Sequence, residues 1–300
     1  MSGSNQVQSF DVLIVGGGPV GLSLGIALAR FVPGINVGLL DRRALTVPRD
    51  SRASAIAAGE PFAHMVPNTA SAASLIAAAQ DLVTIVEPGA VSALSAGPAH
   101  GLVTLDDGRS LSAGLIVAAD GGRSMLRGLA GIRTLSHDYR QSGLVTTISH
   151  AQPHHDVAYE HFRPAGPFAS LPLAGNRSSL VWTEKPEAAQ DLMAMSPGDL
   201  AHRIESAMGS VLGPVEIVET VQSFPLNLVL AHRLAAPRLA LVGDAAHVIH
   251  PLAGQGLNLG LRDVAVLAEV LVDAIRLGED PGSMAVLERY EGRRRTDTSL

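Results

Sequence analysis

Apolar positions along this chain follow two different rhythms. Near the N-terminus they come in short blocks: Phe10 to Val15 reads as a buried parallel strand, Pro19 to Phe31 as a helix, and Val37 to Leu40 as a second strand ending at Asp41. Together these predict a βαβ unit. Thr69 to Gln80 predicts an alanine-rich helix, Leu102 to Leu111 a hairpin around Asp107-Gly108, and Leu115 to Ala119 a buried strand before Asp120-Gly121. The middle changes character. Gly143 to Ile148, Val157 to Arg163, Phe168 to Leu173 and Ser179 to Thr183 read as β-strands, separated by turn-like stretches such as Pro164-Ala165-Gly166 and Ala174-Gly175-Asn176. Leu200 to Met208 predicts a helix and Val215 to Phe224 a further strand. Blocks then return: a strand at 239–242, a helix at about 256–277 and a shorter one at about 282–291.

The pattern predicts an α/β fold: a Rossmann-like domain built from residues 1–141 and 231–300, interrupted by a mostly antiparallel β-sheet domain at 142–230. Val12 to Ala29 is an uncharged apolar stretch near the length of a membrane span or signal sequence. Five glycines and Pro19 interrupt it and no basic segment precedes it, so strand, tight turn and helix explain it better.

Composition narrows the function. The 300 residues suit one or two domains, and 47% hydrophobic with 17% charged residues describes a globular, rather apolar chain. The net charge of −6 and scattered basic residues argue against nucleic acid as a partner. The single basic run, Arg293-Arg294-Arg295, reads as a solvated helix end. The lack of cysteine excludes disulfides, thiolate metal sites, iron–sulfur clusters and a Cys nucleophile, and fits a reducing, cytoplasmic setting. His247 and His250 stand three residues apart without a third ligand nearby, so packed or capping roles are expected and no metal is assigned. His154-His155-Asp156 reads as a polar loop.

Three glycine-and-acid clusters carry the chemistry. Gly16-Gly17-Gly18-Pro19-Val20-Gly21 lies between a strand and a helix, with Asp41 at the end of the next strand. Glycines at these places allow a tight turn and close approach of backbone N–H groups to a pyrophosphate, and the acid can accept ribose hydroxyls. This cluster predicts dinucleotide binding without separating FAD from NAD. The second is Asp120-Gly121-Gly122-Arg123-Ser124-Met125-Leu126-Arg127, a strand-end acid, a glycine turn and a short helix capped by Ser. The third runs from Leu241 to Asp263: a buried strand ends in Gly243-Asp244, and a later helix opens on Gly254-Gln255-Gly256, offering free N–H groups and partial positive charge.

Taken together, these clusters resemble the three signatures of the FAD-dependent aromatic hydroxylases, the group that includes p-hydroxybenzoate hydroxylase. Tyr159-Glu160-His161-Phe162, Gly166-Pro167-Phe168-Ala169, Val181-Trp182-Thr183-Glu184 and Ala236-Pro237-Arg238-Leu239 are similar to the ubiquinone-biosynthesis hydroxylases of the UbiH/UbiF/VisC type. The resemblance implies FAD as bound cofactor, NADPH or NADH as co-substrate, and hydroxylation of a phenolic, polyprenylated ring by O₂ through a flavin C4a-hydroperoxide. It implies that Gly16, Gly18 and Gly21, with Pro19 and Val20, hold the pyrophosphate, and that Asp41, followed by Arg42, holds the adenosine ribose. Arg52 matches an arginine that contacts the phosphates. Asp120, Gly121 and Arg127 are implied beside the FAD and in pyridine-nucleotide use, and Gly243-Asp244 at the ribityl or pyrophosphate region. Pro251 and the turn holding Gly254, Gly256, Leu257 and Asn258 are implied around the isoalloxazine. No catalytic side chain is singled out, because the flavin performs the oxygen chemistry. Peripheral association with the inner membrane or a ubiquinone-biosynthesis complex goes with such a substrate.

Two departures from the family pattern are visible. A few dozen residues that usually follow the segment ending at Gly59 are missing before Pro61, and relatives continue with helices beyond the position of Leu300. The missing internal part normally contributes to the substrate region. Rival readings are a flavin epoxidase, halogenase or prenyl reductase, and a shortened, non-catalytic or uncoupled flavoprotein with an accessory role. The sole tryptophan, Trp182, cannot supply the W-x-W-x-I-P pattern of halogenases.

Overall fold

The computed structural model describes residues 7–46, 64–251 and 254–298. In chain order the elements are β1 (Gln8–Val15), α1 (Pro19–Phe31), β2 (Val37–Leu40), α2 (Asn68–Gln80), β3 (Thr84–Ile85), β4 (Val91–Ala96), β5 (Gly101–Leu105), β6 (Ser110–Ala118) and α3 (Met125–Leu129). There follow β7 (Thr134–His150), β8 (Tyr159–Arg163), β9 (Gly166–Leu173), β10 (Arg177–Glu184), α4 (Pro186–Ala194), α5 (Pro197–Met208), β11 (Val215–Ile217) and β12 (Gln222–Ala231). The chain ends with β13 (Ala235–Ala236), β14 (Leu239–Leu241), β15 (His247–Val248), α6 (Gln255–Arg276) and α7 (Met284–Thr298). They divide into two compact units, one of residues 1–51, 69–136 and 228–300, the other of residues 52–68 and 137–227.

The first unit is organised by a sheet in the order β13-β14-β6-β1-β2-β3, with β5 joining β6 and β4 joining β5. β14, β6, β1 and β2 run parallel, and their last residues pair across: Leu241 with Ala118, Ala118 with Val15, and Val15 with Leu40. Four carboxyl ends are therefore flush. β1 and β2 are apolar enough to be buried on both faces, as a parallel sheet covered by helices requires; Val12, Leu13, Ile14, Leu39 and Leu40 are all fully buried. α1 and α6 supply much of that cover, through Leu22, Leu24 and Leu28 and through Val264, Leu267 and Leu271. The apolar stretch from Val12 to Ala29 is thus strand, turn and helix. Among the described residues no helix is long and apolar enough to cross a membrane.

The second unit holds the antiparallel strands β12-β7-β10-β9-β8, with β11 also on β7. One sheet face packs Phe168, Leu180 and Trp182 against α4 and α5, whose Ala189, Leu192, Leu200, Ile204 and Met208 are buried. Phe168 meets Trp182 edge-on at 5.2 Å, and the Arg163 guanidinium lies 5.2 Å from the Trp182 ring.

Several boundaries depart from the sequence reading. The strand expected at 143–148 is part of the 17-residue β7, and that expected at 115–119 is the second half of β6. The single strand expected over Val215 to Phe224 is two. The N–H groups of Val218 and Glu219 both point to the Thr147 carbonyl, at 2.8 and 3.3 Å, and the ladder stops there. β4 and α4 were not expected. His154-His155-Asp156 is a loop, with His155 and Asp156 exposed, but His154 itself is buried: its Nε2 is 2.9 Å from the carbonyls of Leu173 and Gly175, and its Nδ1 accepts the Asp156 N–H.

Candidate functional site

The flush carboxyl ends carry the three sequence clusters to one rim of the first unit. β1 leads into Gly16–Gly18, β2 into Asp41, β6 into Ala119-Asp120 and β14 into Gly243-Asp244. The order changes direction at β1, because α1 leads to β2 on one side while β6 and β14 lie on the other. A crevice outside such a switch point is the expected ligand position in an open parallel sheet.

The glycines in the first turn have distinct reasons to be there. Gly16 has φ +121°, and a Cβ would stand 2.1 Å from the Ala119 carbonyl oxygen. At Gly21 a Cβ would stand 2.0 Å from the Gly16 carbonyl oxygen, so the turn folds down onto its own helix. Gly18 is different: its φ is −76° and nothing lies within 4 Å of a Cβ there. Packing does not require glycine at that position. It caps α1 without any side-chain hydrogen bond, and no acid stands in the first turn. The free N–H groups of α1 are left for a ligand. Asp41 closes the far side, accepting the Gly17 N–H at 2.7 Å and the Arg43 N–H at 2.9 Å. Arg42 beside it is exposed.

The second cluster folds around Asp120. Oδ1 accepts the Ser124 hydroxyl at 2.5 Å, while Oδ2 takes the N–H groups of Met125 and Leu126 at 2.8 and 3.2 Å. Ser124 in turn caps α3 through the Arg127 N–H at 3.0 Å. Gly121 stands at φ +83°. Arg127 is a bracket, with its guanidinium donating to the Ala245 carbonyl at 2.9 Å and the Gly122 carbonyl at 2.8 Å, so it ties this loop to the turn after β14.

In the third cluster Gly243 takes φ +60° between α1 and α6. A Cβ on Gly243 would meet Val20 at 3.1 Å, and one on Gly260 would meet Val20 at 2.8 Å and the Gly243 Cα at 3.2 Å. Asp244 is exposed, yet the protein around it desolvates the carboxyl and raises its pKa above 3.8, with His247 acting in the opposite direction. Desolvation lowers the pKa of His250. α6 opens on Gly254 at φ +63°, without a side-chain cap and with no acid in its first turn. Gly256 meets nothing within 4 Å of a Cβ, although glycine in a helix costs about 1 kcal/mol. Pro251, Gly254, Leu257 and Asn258 are exposed.

Two helix N-termini without side-chain caps and two glycines that packing does not require fit a dinucleotide whose phosphates approach the backbone closely, and the acids on the same rim can accept its hydroxyls. The sequence profile of the FAD binding domain matches residues 9–59 and 94–298. The chain belongs to this FAD-dependent monooxygenase family. A ubiquinone hydroxylase, UbiL, from Rhodospirillum rubrum is 40% identical over 97% of this chain and 79% of its own length. The 3-demethoxyubiquinol 3-hydroxylase of Escherichia coli is 40% identical over 79% of this chain, and the mouse (Mus musculus) ubiquinone biosynthesis monooxygenase COQ6 is 36% identical over 71%. The matches span 61% and 52% of those two relatives. Among solved structures, PqsL of P. aeruginosa with 2-aminobenzoylacetate shares the fold at TM-score 0.77 and 21% identity, over 98% of this chain and 94% of PqsL. Aklavinone-11 hydroxylase with FAD and aklavinone shares it at 0.71 and 22%, over 89% and 63%.

The FAD-family comparison also bears on the expected internal gap. The profile leaves residues 60–93 unmatched, and the alignment with UbiL runs over 339 positions against 97% of a 300-residue chain. Several dozen UbiL residues therefore face gaps here. Arg52 and the junction at Gly59 and Pro61 lie outside the described residues.

One part of the site was missed from sequence, and one expectation about it holds only in part. Arg293 and Arg295 of the basic run are exposed at the end of α7, but Arg294 is not. Arg294 is 2% exposed and donates from Nε to Asp263 Oδ1 at 2.5 Å. Asp263, wholly buried on α6, accepts the Gly243 N–H at 2.8 Å and His247 Nε2 at 2.7 Å on its other oxygen. Tyr290, also buried, donates to the Leu241 carbonyl at 2.7 Å, and burial drives its phenol pKa well up. The signal was in the spacing. Leu287, Tyr290 and Arg294 share a stripe of α7, as Gly260, Asp263, Val264 and Leu267 do on α6, so a cation and an acid both fall on apolar faces.

Proposed function

We propose that this chain is an NAD(P)H-using, FAD-dependent monooxygenase that hydroxylates a phenolic, polyprenylated ring in ubiquinone biosynthesis. The observation carrying it is the flush rim, where the three clusters and two helix N-termini without side-chain caps belong to one unit of a chain 40% identical to a ubiquinone hydroxylase. FAD, when bound, supplies electron transfer from NAD(P)H and activation of O₂ for insertion of one oxygen atom.

The chain's residues hold and orient. Gly16, Gly18 and Gly21, with Pro19 and Val20, would present the α1 N-terminus to the pyrophosphate, and Asp41, with Arg42 adjacent, would receive the ribose hydroxyls. Asp244 would meet the ribityl and pyrophosphate region from the Gly243 turn. Pro251 and Gly254 to Asn258 would flank the ring system, where the α6 N-terminus favours negative charge on the reduced ring. Asp120 and Gly121 would border the cofactor, with Arg127 holding their loop in place. A polyprenyl substrate resides in lipid, so peripheral association with the inner membrane or a biosynthetic complex goes with this reading.

The gaps opposite UbiL favour a second reading, in which the same cofactor site works without a complete substrate region. One assay separates them: NADH or NADPH, O₂ and a polyprenylated phenol, scored for hydroxylated product and for H₂O₂. Product formed in proportion to NAD(P)H consumed supports the monooxygenase. Peroxide alone supports the uncoupled flavoprotein, and no NAD(P)H oxidation sinks both.

A further inference from the structure

Asp263 and Arg294, buried behind the Gly243 turn, carry none of the roles assigned above. Asp263 is completely inaccessible, so its charge must be matched inside the protein. Arg294, reaching in from α7, matches it at 2.5 Å on Oδ1. The other oxygen is shared by the Gly243 N–H and His247 Nε2. Gly243 itself has no slack. It stands at φ +60°, and at Gly260 even a Cβ would come within 3.2 Å of its Cα and 2.8 Å of Val20 in the first turn of α1. The position of the Gly243 amide thus bears on both the Asp244 turn and the start of α1.

We propose that Arg294 is a positioning residue for the cofactor turn, acting through Asp263 on the Gly243 amide, so that docking of α7 sets the affinity for FAD. This rests on the FAD reading above. With Arg294 in place, the ion pair fixes the Asp263 carboxylate where its Oδ2 accepts the Gly243 N–H as a charge-assisted hydrogen bond. Without it the buried carboxylate loses its matching cation and turns toward other donors or water, which weakens its hold on Gly243. α7 is bound to the same strand end a second time, because Tyr290 donates to Leu241, two residues before Gly243.

The test uses the whole chain with Arg294→Met and Arg294→Lys, and Arg238→Met as a matched control. Arg238 is also buried and paired to an acid, Asp280, but it precedes β14 at the end away from the turn. Two readouts are taken at a temperature where each variant is folded: amide hydrogen exchange of FAD-free protein at residues 242–246, and FAD dissociation constants by titration. Arg294→Met is expected to speed exchange at Gly243 at least tenfold and weaken FAD at least tenfold. Arg294→Lys, which keeps the charge, should recover part of both. Arg238→Met should lose comparable thermal stability while leaving both readouts unchanged. Wild-type exchange or wild-type FAD affinity in Arg294→Met overturns the proposal, as does equal weakening of FAD by Arg238→Met. If Arg294→Met does not fold, Arg294→Lys against Arg238→Met decides by the same criteria. A wild-type chain that takes up no FAD overturns the functional reading and the affinity claim together, and the exchange data still decide whether Arg294 positions Gly243.

Discussion

Asp41 Oδ2 accepts the backbone N–H of Gly17 at 2.7 Å, linking the end of β2 to the glycine turn after β1. The acid that the sequence assigns to a ribose therefore also braces the turn assigned to the pyrophosphate. Replacing it should affect folding as well as binding. Asp41→Ala strands a half-buried amide and is expected to cost about 1–2 kcal/mol in denaturant unfolding, while Asp41→Asn, which keeps one acceptor oxygen, costs less. Equal stability of Asp41→Ala and wild type would show that the brace contributes nothing.

Two glycines in the same turn should separate structure from binding. Gly16→Ala forces a Cβ against the Ala119 carbonyl at φ +121°, and a loss of about 2 kcal/mol or more is expected, with loss of bound flavin. Gly18→Ala meets open space, so its stability should stay within about 0.5 kcal/mol of wild type while FAD affinity falls. Thermal unfolding and FAD titration of the two variants check this. Unchanged affinity in Gly18→Ala would place the cofactor away from the α1 N-terminus.

The Arg127 bracket predicts coupling between two loops that are far apart in sequence. Arg127→Met removes donors to Ala245 and Gly122 and is expected to cost about 2 kcal/mol. Ser124→Ala, removing the α3 cap, should cost about 1 kcal/mol. Both act on one loop, so the double variant should lose less than the two losses added together. Strict additivity in denaturation midpoints would contradict a shared bracket.

Asp244 gives a pH dependence with a definite sign. Desolvation raises its folded-state pKa above 3.8, so the folded chain binds more protons than the unfolded chain between 3.8 and that raised value. This group's contribution to stability therefore falls as pH rises through that window. In FAD-free protein, Asp244→Asn should melt higher than wild type at neutral pH, and the gain should vanish as pH falls through the window. The same variant should bind FAD more weakly. Lower thermal stability of Asp244→Asn at neutral pH would reverse the sign and refute the desolvation account.

What could be read from sequence was set by how local each signal is. β1, α1 and β2 were legible because an apolar run, a glycine turn and a terminal acid fall within one short segment, and Asp107-Gly108 marked its hairpin. α4 was missed because its nine residues bury only Ala189 and Leu192, too little apolar periodicity to stand out after Lys185-Pro186. β4 was missed because Val91-Ser-Ala-Leu-Ser-Ala is mostly small, exposed residues whose strand state depends on pairing with β5. The glycine and acid motifs of the site were legible from local spacing. Asp263 and Arg294 were not, since their meaning lies in a contact across 31 positions that neither helix reveals alone.

The rim formed by Gly16–Gly21, Asp41, Asp120 and Gly243-Asp244 is expected to hold FAD. The visible absorption spectrum of the purified chain, recorded after gel filtration and again after incubation with FAD and removal of the excess, tests it most directly. A flavin band that travels with the protein in wild type, and is lost in Gly16→Ala, is the expected result. A folded wild-type chain with no flavin band even after incubation with FAD would contradict the account.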